Sequence, residues 1–199
     1  MRNPDKDSNF AVLIANDHAG GRAEAMHRAG SNKPSRMYIG VISDTHGIFD
    51  PQFREFFEPV DEIWHAGDFG GGLELAEQIA QFKPLKGVAG NCDNHSRRFI
   101  HPLHRVFECE GLKVLMTHIG GYPGRYDARA FALIDLHRPD IFVCGHSHIL
   151  KVARDERYDM LTINPGAAGI QGFHIVRTAL RFKIEQGRIH SMEVFRLDR

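Results

Sequence analysis

Seven side chains of metal-binding type stand in five short motifs along this chain. They are Asp44 and His46 in SDTH, Asp68 in AGD, Asn91 in AGN, His118 in MTH, and His146 and His148 in GHSH. Imidazole is the commonest protein metal ligand. Imidazole with carboxylate and an amide oxygen suits Mn, Fe, Zn or Ni better than Ca, and no thiolate is required. The alternate spacing in Asp44-x-His46 and His146-x-His148 places each pair on one side of an extended turn. Two divalent cations about 3.5–4 Å apart need a shared anion to offset their repulsion, and Asp68 is the natural candidate for that bridge.

These groups must be gathered by the elements that carry them. Each motif follows an apolar run that reads as a strand: YIGVIS, EIWHAG, LKGVAG, the return arm of HRVFECEGLKVLMTH with its Glu110-Gly111 turn, and IFVCGHSH. Helical periodicity appears between them. In PQFREFFEPV, Pro51 suits a first turn, and Phe53, Phe56, Phe57 and Val60 fall on one face. LELAEQIAQF places Leu75, Ile79 and Phe82 together, and YDARAFALIDLH runs to Pro139. The first half therefore reads βαβαβ, which favours parallel pairing. LKVARDERYDMLTINPG and FHIVRTALRFKIEQGRIHSMEVFRL supply further strands, the latter turning at Gln186-Gly187. The expected class is α/β, with helices outside two sheets packed face to face. Ligands of open α/β sheets bind beyond the carboxyl ends of the strands, which is where the motifs stand.

Composition narrows the partners. Lys and Arg number 25, as do Asp and Glu, so there is no basic excess to favour duplex nucleic acid. Neither the 199-residue length nor this balance fits a nuclease with an added DNA-binding surface. The apolar run Phe10–Ala15 is too short to span a membrane, and its acidic flank predicts no signal peptide. Cys92, Cys109 and Cys144 form no CxxC pair; an odd set of reduced thiols predicts a cytoplasmic protein. Residues 1–36 lack periodicity and end in GSNKPSR, so they are expected to form a weakly ordered extension before a single domain over 37–199.

The ordered set D-x-H, G-D, G-N, H and G-H-x-H resembles the calcineurin-like metallophosphoesterases. The short GNCD form, the small size and the lack of insertions are most similar to the YfcE-like bacterial and archaeal phosphodiesterases. The resemblance covers the chain from about Met37 onward. It implies a four-layer α-β-β-α sandwich of two mixed sheets. It implies one ion held by Asp44, His46, Asp68 and His148, and a second held by Asp68, Asn91, His118 and His146. A metal-bridging water or hydroxide would be the nucleophile, with no side-chain base. Manganese is the expected ion, with iron, zinc or nickel also fitting. The expected substrate is a small phosphoester, most simply a phosphodiester; a second copy of the chain is a candidate partner through exposed apolar strands. The rival implication is a protein-interaction scaffold, because the retromer scaffold subunit resembles the same fold; here every ligand position is filled.

The larger family usually places a histidine after the Asn, whereas this chain has Cys92, as YfcE-like members do. A thiol with an ordinary pKa near 8.5 is a poor match to a general acid, and VAGNCDN offers no phosphate-cradling loop for a cysteine nucleophile. Asp93 is expected either to orient the site or to serve only as a turn residue, and His65 either to support the site or to pack in its strand. Arg97, Arg98 and Arg125 are candidate phosphate clamps, with Tyr126 beside Arg125. Related sequences often read NPGS where this one reads NPGAA over Asn164–Ala168, a turn expected to border the site. His95 is the candidate general acid. His95→Ala should slow an ester with a poor leaving group by about 100- to 10,000-fold, and an unchanged turnover rate on that ester would remove His95 from the role.

Overall fold

The computed structural model describes residues 36–93 and 100–199. The expected extension over 1–36 lies outside them, apart from Arg36. That residue opens strand β1 (Arg36–Ile42), which is followed by helix α1 (Pro51–Phe56), β2 (Glu62–His65), α2 (Glu74–Phe82) and β3 (Leu85–Gly87). The hairpin β4 (His104–Cys109) and β5 (Leu112–Thr117) comes next, then a small hairpin of β6 (Gly121–Tyr122) and β7 (Arg125–Tyr126). Helix α3 (Ala128–His137), β8 (Ile141–Val143), β9 (Leu150–Asp155), β10 (Met160–Pro165), β11 (Val176–Glu185) and β12 (Arg188–Asp198) complete the order.

Two five-stranded mixed sheets result, ordered β12-β11-β1-β2-β3 and β4-β5-β8-β10-β9. Each is built around a parallel trio. In the first sheet β1, β2 and β3 run parallel; in the second β5, β8 and β10 do. The remaining strands pair antiparallel at the flanks.

Side-chain alternation with period two separates three apolar layers. Ile39, Val41 and Trp64 of the first sheet meet Val114, Met116, Ile141, Val143 and Ile163 of the second. Their neighbours Ile42 and Ile63 face the opposite way, onto Phe53 and Phe57 around α1 and Leu75 and Ile79 of α2. Leu115 and Phe142 turn outward onto Ala130 and Ile134 of α3. The expected α-β-β-α sandwich is present. No helix among the described residues is long and apolar enough to cross a membrane.

Two helices are shorter than their periodicity predicts. Helix α1 ends at Phe56, so Val60 is buried from the turn beyond it. Pro59 explains the stop, because the residue before a proline is pushed out of helical geometry. Helix α3 begins at Ala128, since the Asp127 carboxylate accepts from Arg129 N and Ala130 N and caps the helix there. Tyr126 therefore belongs to the small hairpin. Trp64 joins the two sheets, its ring lying 5.1 Å from Phe107 and 5.9 Å from Phe182. Trp64→Ala should cost about 3–5 kcal/mol, read as a lowered urea midpoint with an unchanged denaturant slope.

Candidate metal centre

The carboxyl ends of the two parallel trios meet, and the polar motifs form a buried cradle between them. Asp44 Oδ1 stands 3.2 Å from His148 Nε2 and 3.9 Å from His118 Nε2. Asp68 Oδ2 stands 3.2 Å from His118 Nε2 and 4.0 Å from His46 Nε2. The other oxygen of each carboxylate is already engaged: Asp44 Oδ2 accepts from His146 N at 3.0 Å, and Asp68 Oδ1 from Cys92 N at 2.8 Å. His118 Nδ1 donates to Ala66 O at 2.8 Å, so in the neutral ring its Nε2 is a bare lone pair. Among the described residues, Asp44 Oδ1, His46 Nε2 and His118 Nε2 are buried atoms without a hydrogen-bond partner. Such groups are costly to bury unless something completes them. A divalent cation fits: Asp44, His46 and His148 offer donor atoms within 4.8 Å of one another, as do Asp44, Asp68 and His118, and His46, Asp68 and Cys92.

The backbone is bent to achieve this. Asp44, His46, Asp68, His146 and His148 all have positive φ, between 46° and 67°. A left-handed conformation costs a non-glycine residue about 1–3 kcal/mol. Hydrogen bonds between loops hold it in place. Asp44 N, His46 N and Gly47 N donate to Gly67 O, Asp68 O and Phe69 O, while Gly145 N donates to His118 O. Asp93, for which the sequence leaves an orienting role and a plain turn role both open, is buried under the Asp68 loop. Its carboxylate accepts from Asp68 N, Phe69 N, Gly70 N and Gly90 N at 2.8–3.4 Å. Any Cβ on Gly90 would collide with the Asp68 carboxylate and its backbone nitrogen, so the glycine of AGN permits that approach.

Asn164 performs a matching task on the second sheet. Its Nδ2 donates to Gly145 O at 2.7 Å and Ser147 Oγ at 3.1 Å, while its Oδ1 accepts from Gly166 N. The turn after it contributes Ala168 N to Ser43 O and Gly169 N to Asp44 O. NPGAA thus borders the site through Asn164 and backbone groups. His65 supports the floor: it shares a 2.9 Å hydrogen bond with Thr45 Oγ1 and stacks on Phe69 at 3.6 Å, which in turn stacks on His101.

Charge within the cradle shifts its titrations. Burial pushes Asp68 up, but the adjacent His118 imidazole and the Cys92 N–H outweigh it, so Asp68 lies well below the usual carboxylate range. His118 is lowered by burial yet raised overall by Asp68 and Asp44. The Asp44 carboxylate raises His148 against the opposing effect of burial. Burial dominates at His46 and lowers it. Burial and Asp68 push the Cys92 thiol up to about 11, which takes it further from an acid working near neutrality.

Of the seven predicted ligands, Asp44, His46, Asp68, His118 and His148 approach one another directly. His146 joins through its backbone and sets its exposed ring 5.2 Å from His118. Asn91 is exposed, with its amide nitrogen 3.3 Å from Cys92 Sγ. Arg125 stands exposed on the small hairpin, paired with Tyr122. Tyr126 is turned away from the cradle: its ring packs near Phe142 and its hydroxyl donates to Asp155 at 2.7 Å. His95, Arg97 and Arg98 lie outside the described residues. Asn164 and His174, which touches His148, had no metal-ligand motif to mark them. Asn164 sits in a recognisable turn, whereas nothing in the linear pattern flags His174.

A family model described as the calcineurin-like phosphoesterase superfamily domain matches residues 37–187. A probable metallophosphoesterase of Methanothermobacter thermautotrophicus is 32% identical over 142 residues, covering 66% of this chain and 77% of that protein. Among solved structures, a predicted phosphoesterase of Streptococcus pneumoniae aligns with a TM-score of 0.58 at 20% identity, over 83% of this chain and 99% of its own. The Zn²⁺ complex of Vps29 from Entamoeba histolytica aligns with a TM-score of 0.58 at 19% identity, over 81% and 99%. At those identities the two structures share the fold.

Two outcomes follow from the cradle's geometry and charge. Asp93→Ala would strip the carboxylate from four backbone N–H groups, so it should cost more than about 3 kcal/mol, read by unfolding in chelator. Raised imidazoles make the second outcome pH-dependent. In chelator, charged His118 and His148 contribute stability that is full below their ordinary 6.5 and is lost as pH rises through their raised values. The depressed Asp68 behaves oppositely: its contribution stands above 3.8 and is lost as pH falls below it. A cation must displace the imidazole protons. Mn²⁺ titration at pH 7 should therefore release protons, measured calorimetrically in buffers of different ionisation heat; identical heats in all buffers would contradict it.

Proposed function

The chain belongs to the calcineurin-like phosphoesterase superfamily, and from that membership we propose that it is a dinuclear metal-dependent phosphoesterase acting on phosphodiesters or aryl phosphates. The observation that carries this reading is the set of buried, partnerless donor atoms on Asp44, His46 and His118 around the carboxylate of Asp68. One ion is assigned to Asp44, His46, Asp68 and His148, and the second to Asp68, Asn91, His118 and His146. Two divalent cations held there supply Lewis acidity, lowering the pKa of water towards about 7 and neutralising charge on the phosphate oxygens. Manganese is our first expectation for both, with iron, zinc or nickel compatible with the same donors.

The chain's own groups set the geometry. Asp68 Oδ1 is held by Cys92 N, which leaves Oδ2 to face both His118 and His46, the arrangement a shared anion needs. The Asn91 amide nitrogen turns to Cys92 Sγ, which leaves the amide oxygen for a ligand role. Cys92 thus acts through its backbone and as a small acceptor. His95 is our candidate for proton delivery to a poor leaving oxygen; a good leaving oxygen can depart without such an acid. Arg125, on the loop after His118, is a candidate substrate contact. The three unpaired thiols favour a cytoplasmic setting.

The test is hydrolysis of bis-p-nitrophenyl phosphate with Mn²⁺ and with chelator. Turnover should require metal and fall by at least about 100-fold in Asp68→Asn. Cys92→Ala should change the rate by far less than the roughly 100-fold that loss of a general acid costs. No metal-dependent turnover with Mn, Fe, Zn or Ni would reject the enzyme reading and favour a scaffolding role.

A further inference from the structure

His174 lies half-buried in the loop between β10 and β11, outside every motif described above. Its Nε2 stands 2.9 Å from Gly169 O. A carbonyl oxygen only accepts, so Nε2 carries the proton, and in the neutral ring Nδ1 is then bare. That bare nitrogen is 3.3 Å from His148 Nδ1. With both rings neutral, the shared proton must sit on His148 Nδ1. His148 Nε2 is left as a lone pair, aimed at the position 3.2 Å from Asp44 Oδ1. The circuit closes on itself, because Gly169 N donates to Asp44 O at 2.9 Å.

Two further features fit this arrangement. Gly172 has φ +110°, and a Cβ there would stand 2.5 Å from His148 Nδ1 and 3.3 Å from His174 Nδ1. Glycine keeps the space between the rings clear. Phe173 and Ile175, on either side of His174, are both exposed; the imidazole between them turns inward while its apolar neighbours do not. His118 has its tautomer set by a backbone carbonyl. His148 has the equivalent service performed by a second side chain, which mutation can remove.

We propose that His174 is a positioning residue that holds His148 in the tautomer with Nε2 free and aims it at the first ion's place. This rests on the metal reading above. Partners of ligating histidines are worth about 10- to 100-fold in metal affinity. The full chain is titrated with Mn²⁺ by calorimetry, as wild type, His174→Phe and His174→Asn, and each chelated protein is melted. The wild type should take up two ions. His174→Phe should weaken one of them by about 10- to 100-fold, leave the other, and leave the chelated melting temperature in place. His174→Asn, whose Oδ1 can accept near the Nδ1 position, should recover much of that affinity. Two unchanged affinities in His174→Phe overturn the proposal. So does a parallel fall in both affinities and in the chelated melting temperature, which marks a merely structural side chain. A wild type that binds no ion overturns the metal reading itself, and this proposal with it.

Discussion

Two carboxylates, Asp44 and Asp68, are buried where the two sheets meet, each facing imidazole nitrogens at 3.2–4.0 Å. Buried charge of this density is expensive unless matched. Protons on His118 and His148 can match it, and so can divalent cations; the same electrostatic demand drives both. Much of the surrounding structure keeps those carboxylates from relaxing apart. One oxygen of each is tied down by a backbone N–H, from the facing sheet's loop for Asp44 and from the neighbouring loop after β3 for Asp68, and the other is left pointing inward.

The strain that this arrangement carries is distributed. Five of the seven motif residues adopt positive φ, and the loops bearing them would open if they were held singly. They are held in pairs: the loop after β1 is hydrogen-bonded to that after β2, and the loop after β5 to that after β8. Asp93 fastens the loop after β2 to that after β3, and Asn164 fastens the loop after β8 to the end of β10. The two polar side chains are analogous in purpose, one on each sheet, and neither faces the cradle with its own donor atoms. Parallel trios explain why this is available at all. Strands running the same way end at the same edge, so three loops per sheet converge there.

Cys92 illustrates how a position can matter without its side chain reacting. Its N–H fixes which oxygen of Asp68 faces the cradle, and its sulfur receives the Asn91 amide. Burial and the neighbouring carboxylates hold the thiol protonated. The backbone contribution is indifferent to residue type, so the N–H can hold Asp68 Oδ1 whichever side chain stands at this position.

Sequence alone determined the elements and the motif positions. Short apolar runs mark strands whatever their partners, and each polar motif follows such a run directly, so its place at a strand's carboxyl end was legible. Charge balance and helix faces were legible for the same reason: they are properties of neighbours along the chain. Tertiary structure decided what depends on residues far apart in number. The direction of Tyr126 is set by Phe142 and Asp155, not by its nearness to His118. The end of α1 shows that a local steric rule at Pro59 can override an unbroken apolar face. His174 had no signal in the linear pattern, because its role exists only through His148, brought to it by the loop after β8, and through Gly169 within its own loop. Which nitrogen of a histidine carries the proton is settled by whatever acceptor the fold places opposite, and no spacing along the chain encodes that.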